Sequence, residues 1–174
     1  MCRSLALGLV FAGLAGSCVF AQTMTPSPAA NTAPLVQIPP DKTIPLDQAL
    51  EAAQAALSVC TAKNSPATVE ILDLNYNPKV LLSADDARNN SFEPARRKAY
   101  TVLKKGMSSG AFAKSIGSPP VNTVIEGDLN LRASAGGLPI MKDGAIIGAL
   151  AVSSPTGQDT DEVCAEAGIA KLHL

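Results

Sequence analysis

The sequence predicts an α+β domain, an antiparallel sheet of about five strands flanked by helices. Three observations carry this. Helical spacing of apolar residues marks both ends of the domain, and β-branched, roughly alternating stretches come in pairs separated by turn chemistry. The order helix, two strands, two helices, three strands, helix also lacks the βα alternation that a parallel sheet requires. No internal repeat is present.

The first helix starts at Leu46, where Leu46, Ala49, Leu50, Ala53, Ala56, Leu57 and Cys60 share one face. Asp47 and Glu51 suit its amino end, Lys63-Asn64 closes it and Pro66 forbids continuation. Thr68–Leu74 and Lys79–Ala84 then read as a hairpin across Asn75-Tyr-Asn-Pro78. Ser91 is placed to cap a second helix with Pro94 in its first turn and Gly106 after its end. At about 100° per residue, Ala95, Ala99, Val102 and Leu103 fall on its buried side, and Arg97, Tyr100, Thr101 and Lys104 face away. A short helix over Gly110–Ile116 precedes the Ser118-Pro-Pro120 break. Leu129–Ala133 and Leu138–Met141 read as strands, and Asp143-Gly144 turns the chain into a long strand, Ala145–Ser153. Asp159–Leu172 closes the domain as a helix with Val163, Ala167, Ala170 and Leu174 inward and Cys164 on the flank.

Ahead of this domain, residues 1–21 read as an export signal: Arg3, the apolar run Leu5–Ala15, then Val19-Phe20-Ala21 as the cleavage site. The run is interrupted by glycines and too short for a stable membrane span. Ala15-Gly16-Ser17-Cys18 loosely resembles a lipobox, so lipid anchoring at Cys18 is the minor alternative to a periplasmic or secreted chain. The mass of the mature amino terminus, Gln22 or acylated Cys18, decides between them. Residues 22–40, rich in Pro, Ala and Thr, form a disordered tether, and residues 41–174 form one domain with room for one core.

Cleavage removes one of 14 basic residues and none of 15 acidic ones, taking the formal charge from −1 to −2, which argues against nucleic-acid binding. The bases are clustered, with Arg88, Arg96, Arg97, Lys98, Lys104, Lys105 and Lys114 falling between residues 85 and 114. Such a cluster is either a solvated helix face or a surface for an anionic ligand. No His or Cys nucleophile pair, metal cluster, phosphate loop or carboxylate cleft stands out, and none of the cysteines has Cys-x-x-Cys spacing. The acids Asp85-Asp86 and Asp159–Glu162 suit a loop and a helix start. Met107 and Met141 read as core filler and His173 as a terminal residue.

Five segments, Leu46-Asp-Gln-Ala-Leu50, Ala95-Arg-Arg-Lys-Ala-Tyr-Thr101, Gly136-Gly-Leu-Pro-Ile140, Lys142–Ser153 and Gln158-Asp159, together resemble in order the GlcG/HbpS family of haem-binding proteins. The resemblance spans about Leu46 to Leu172. It implies a profilin-like or PAS-like sheet, amino- and carboxy-terminal helices packed together, homo-oligomers, and members that bind or degrade haem. It also points to Arg97, Lys98, Tyr100, Thr101 and Lys104 as ligand-binding residues, the hydroxyls toward the iron and the cations toward propionates. Three departures matter. Asp73–Pro78 replaces the family's usual Asp-Ala-Gly-Gly hairpin, Ser83-Ala84 stands where an Arg-containing loop usually follows, and Ala151 and Ser154 replace glycines at the late strand end, reshaping any pocket there. In the resembled fold the terminal helices lie side by side. Cys60 and Cys164 then either pair, given Cα atoms within about 7 Å, or remain two buried thiols. The reading is an exported haem or small-ligand binding protein that oligomerises. An enzyme of haem breakdown or small hydroxy-acid metabolism, or an interaction module without a ligand, are the alternatives.

Overall fold

The computed structural model describes residues 43–120 and 122–174; the expected export signal and tether, and Cys18, lie outside them. The elements are α1 (Leu46–Ala62), β1 (Thr68–Asp73), β2 (Pro78–Ser83), α2 (Phe92–Lys105), α3 (Ser109–Ser115), β3 (Gly137–Lys142), β4 (Ala145–Ser153) and α4 (Gln158–Ile169). They build an α+β domain around an antiparallel sheet of order β2-β1-β4-β3.

Helices cover both faces of the two central strands, so β1 is buried along its whole length and β4 from Ile147 onward. The pleat assigns the faces. Val69, Ile71, Leu150 and Val152 join Ala49, Ala53, Ala56 and Ala165 in the core beneath α1 and α4. Leu72, Ala149 and Ala151 turn the other way and pack on Ala99 and Val102 of α2. A third cluster, Phe112, Ala113, Ile125, Leu131 and Ala133 with Tyr100 against it, joins α3 to the segment preceding β3.

The terminal helices pack side by side, as expected, and small residues set how closely. A Cβ on Gly168 would lie 2.8 Å from the Ala52 carbonyl oxygen and 3.1 Å from the Ala56 Cβ. Cys60 and Cys164, both fully buried, form a disulfide with Cα atoms 5.5 Å apart. At the β3–β4 turn, Asp143 and Gly144 both have positive φ, 49° and 77°, the geometry that Asp-Gly favours in a two-residue hairpin.

Several expectations are corrected. Among the described residues the sheet has four strands, because Leu129–Ala133 is irregular: Asp128 holds Asn130 in a side-chain turn, and Leu131 and Arg132 bond to α2 rather than to a strand. The inward stripe of α4 is Asp161, Cys164, Ala165 and Gly168, with Val163 exposed, since the close approach at Gly168 rotates the helix toward its small residues. The Ser91 side chain does not cap α2; its hydroxyl pairs with Thr68 Oγ1 at 2.6 Å. Met107 and Met141 are exposed rather than core filler. Thr101, expected to face solvent, is buried, and so is Lys98, so the exposed side of α2 is narrower than expected.

Candidate functional site

The cover on α2 is the chain's own segment 122–135. Arg97 Nη2 donates to the Leu131 carbonyl at 2.7 Å, and the Arg132 amide donates to Thr101 Oγ1 at 2.8 Å. Thr101 Oγ1 in turn donates to the Arg97 carbonyl at 2.7 Å, so this fully buried hydroxyl is engaged both as donor and as acceptor. Tyr100 Oη donates to Asp128 Oδ2 at 3.0 Å, and Lys105 Nζ bonds Glu126 at 2.6 Å while lying 4.9 Å above the Phe112 ring. Burial, and then the hydrogen bond to Asp128, raises the Tyr100 phenol above its ordinary range, while the Asn130 amide and Tyr100 hold Asp128 low. Tyr100 is therefore a neutral phenol.

Of the five residues expected to bind a ligand, Arg97, Tyr100 and Lys104 keep access to solvent, and Lys104 lies close enough to Asp128 to lower its affinity for a proton. Lys98 is elsewhere. Two residues from Tyr100 and about 200° around the helix, it points into the protein, donates to the Val152 carbonyl at 2.8 Å and pairs with Asp161. Burial lowers its affinity for a proton, and the charge and hydrogen bond of Asp161 oppose that effect. The Gly136-Gly137 pair makes room: a Cβ on Gly136 would meet the Asp161 Cβ at 2.5 Å and Lys98 Nζ at 2.9 Å.

The edge of α2 nearest the β1–β2 hairpin carries residues that sequence reasoning passed over. Phe92, Arg96 and Tyr100 follow one another at i, i+4 spacing and so form a stripe. Tyr76, at the hairpin turn with φ 64°, stacks its ring on that of Tyr100 at a centroid distance of 5.0 Å. Leu81 pairs with Glu70 and shares its sheet face. Phe92, Leu81 and Tyr76 are 48%, 51% and 40% exposed, three large apolar side chains that the described residues leave largely uncovered. The i, i+4 spacing of Phe92, Arg96 and Tyr100 was legible; the contribution of Tyr76 and Leu81, which depends on hairpin register, was not.

Beneath this edge lies Glu70, 2% exposed, with Oε2 lacking a hydrogen-bond partner among the described residues. Burial raises its carboxyl to about 7; Arg96 counters the rise and Glu93 adds to it. The site thus combines aromatic surface, the cations Arg96, Arg97 and Lys104, and a buried carboxyl that titrates near neutrality.

Other groups fit a ligand-binding role less well. The cavity of about 580 Å³ between the end of α1 and the end of β2 carries Asp85 and Asp86 in its wall. His173 is exposed near the chain end, its backbone amide bonded to Gln48. Among the described residues no three His, Cys, Asp or Glu side chains converge as a metal site, and no helix is long and apolar enough to cross a membrane.

Known proteins share this arrangement of elements. The 15.0 kDa protein of the dhaT-dhaS intergenic region of Citrobacter freundii is 29% identical over 129 residues, 73% of this chain and 90% of that protein. The crystal structure of HbpS is 30% identical, with a TM-score of 0.69 over 84% of this chain and 99% of that one. A double mutant of Streptomyces reticuli HbpS is 28% identical, with a TM-score of 0.68 over 86% and 99% of the two chains. A PduOC complex with haem shares the fold at 20% identity, with a TM-score of 0.66 over 75% of this chain and 96% of that one. The family model described as haem degrading protein HbpS-like matches residues 44–170, essentially the whole domain built above, and the chain belongs to that family.

Proposed function

We propose that this chain is an exported haem-binding protein whose ligand lies against the aromatic edge of α2. The observation that carries the reading is the uncovered surface of Phe92, Leu81 and Tyr76 beside Tyr100, flanked by Arg96, Arg97 and Lys104. Haem offers a flat apolar ring and two propionates; tyrosine and phenylalanine faces take the first and Arg or Lys heads the second. The haem-related family and the haem complex of a protein with the same fold support the choice of ligand. Bound haem would supply a redox-active iron. This chain's residues supply stacking and charge, since Tyr100 is kept neutral by Asp128 and Thr101 is engaged within the fold.

Export is supported by residues 1–21 and by the Cys60–Cys164 bridge, because disulfides persist mainly outside the reducing cytosol. Self-association is supported by Leu46, Leu50 and Val163, which stay exposed on the outer helices, and sedimentation measures it. Haem breakdown is the second reading, favoured by the family's description; with hemin, a reductant and dioxygen to cleave the ring oxidatively, it releases iron and loses the Soret band.

Hemin titration tests the first reading. A saturable Soret change near one equivalent per subunit is expected, and Phe92→Ser and Tyr76→Ala each weaken it about tenfold, as loss of an aromatic contact does. No saturable change in the wild-type protein, or equal affinity in both variants, overturns the reading.

A further inference from the structure

Strand β1 turns Thr68, Glu70 and Leu72 toward α2, and Glu70 is the residue of the three that a buried surface suits least. Leu72 packs on Ala99 and Val102, Thr68 Oγ1 bonds the hydroxyls of Ser83 and Ser91, and Glu70 Oε2 bonds nothing among the described residues. A carboxyl at 2% exposure with an unmet oxygen lowers stability wherever it is charged, so packing does not explain its place.

The strands beside Glu70 bring it almost no charge. Its register partners are Ala151 of β4 and Leu81 of β2, and β4 holds no charged residue. Lys79, the charged residue of β2, sits at the irregularity between Pro78 and Val80 and has no register partner on β1. The charges that act on Glu70 come from α2: Arg96 favours its ionised form and Glu93 opposes it. The other cations nearest Arg96 in α2 are engaged elsewhere, Arg97 on the Leu131 carbonyl and Lys98 on Asp161.

Arg96 therefore serves two carboxyls. Above it at the surface is Glu93, with Arg96 Nη2 3.4 Å from Glu93 Oε2 and the two side chains 47% and 36% exposed. So open an ion pair is worth little, and Arg96 can exchange Glu93 for another anion. Below it is Glu70, which has no other cation acting on it from the strands or the helix.

We infer that Glu70 is a positioning residue that makes ligand capture proton-coupled: when an acid group of the ligand takes Arg96, Glu70 takes up a proton. The inference rests on the haem reading above, in which Arg96 meets a propionate. An anion on Arg96 cancels the field that favours ionised Glu70, so the bound state holds the proton more tightly. Burial already sets this carboxyl at about 7, which places the effect near neutral pH. Below that value Glu70 is protonated with or without ligand and affinity is at its maximum; above it, binding must bring a proton in, and affinity falls as pH rises.

Hemin titration of the purified protein at about pH 6 and about pH 8.5 tests this. Wild-type affinity is expected to fall about tenfold more than that of Glu70→Gln, the scale of a one-unit change in the carboxyl's proton affinity. The comparison of the two proteins cancels the pH chemistry of hemin itself. Calorimetry at about pH 7.5 in buffers of different ionisation enthalpy should show the wild-type protein taking up about half a proton more per hemin than the variant. Arg96→Gln, a change confined to an exposed ion pair, weakens hemin and flattens its pH profile to that of Glu70→Gln, whereas Lys104→Gln weakens hemin and keeps the wild-type profile. Saturable hemin binding with one shared pH profile in the wild type, Glu70→Gln and Arg96→Gln overturns this inference and leaves the haem reading standing. No saturable binding by the wild-type protein overturns both.

Discussion

Glu70 is the place where burial works most directly against charge. Its carboxyl lies under α2 at 2% exposure and titrates at about 7 instead of 4.5. In the unfolded chain the proton leaves near the lower value, so between these two pH values the native state binds more protons and stability falls as pH rises. Each tenfold change in the protonation equilibrium is worth about 1.4 kcal/mol, which puts the full effect near 3 kcal/mol. Part of that loss is already complete by pH 5, and solvent screening reduces the remainder to about 1–2 kcal/mol. Glu70→Gln keeps the shape and removes the titration. Urea unfolding at about pH 5 and about pH 8 should show the wild-type protein losing that 1–2 kcal/mol while the variant loses none of it. The variant's midpoint then exceeds the wild type's at the higher pH only. Parallel pH profiles for the two proteins would show that Glu70 ionises at an ordinary value and that the burial argument is wrong.

Two other perturbations probe interactions buried near the same sheet. Asp161→Asn leaves the Lys98 ammonium buried with the Val152 carbonyl still accepting from it but without its ion-pair partner, only the charge of Glu162 acting in its favour, and should cost about 3–5 kcal/mol in chemical unfolding. Replacing both members of the pair with apolar side chains, Lys98→Met together with Asp161→Leu, should cost far less, and a single-variant loss below about 1 kcal/mol counts against a tightly coupled pair. Cys60→Ser with Cys164→Ser opens a loop of sequence separation 104 and should lower unfolding stability by about 3–5 kcal/mol. Thiol titration of the unfolded, unreduced chain from Gln22 onward should find no free sulfhydryl; two would remove the bridge.

Most elements were legible in the sequence because each carried its own local signal. The apolar spacing from Leu46, the hairpin around Asn75–Pro78, Gly106 closing α2 with φ 67°, and the Asp143-Gly144 turn all appear where expected. Leu129–Ala133 misled because its alternation is real: Leu131 and Ala133 are buried and Leu129 is exposed. The partner of that segment is the α2 surface, which no local pattern records. Lys98 was hidden for a related reason. A charged residue reads as solvent-facing until the ion pair with Asp161, 63 positions away, is known. The inward stripe of α4 was misread because Gly168 and Asp161 have no apolar side chain to announce their burial. At the candidate site, the cations of α2 were evident from composition, whereas the share of Tyr76 and Leu81 was not, since it depends on hairpin register.

The sulfur link between the outer helices also sets how the domain bears load. Tension entering at the start of α1 reaches Cys60 and passes directly to Cys164 in the last helix, so the stretch between them, sheet included, carries none of it. A chain pulled at its two ends therefore surrenders at most the turns of α1 before Cys60 and those of α4 after Cys164, and keeps the rest until the bridge is reduced. After reduction the same pull peels α1 from β1 and β2 in sequence, so mechanical endurance is governed by the redox state of the surroundings.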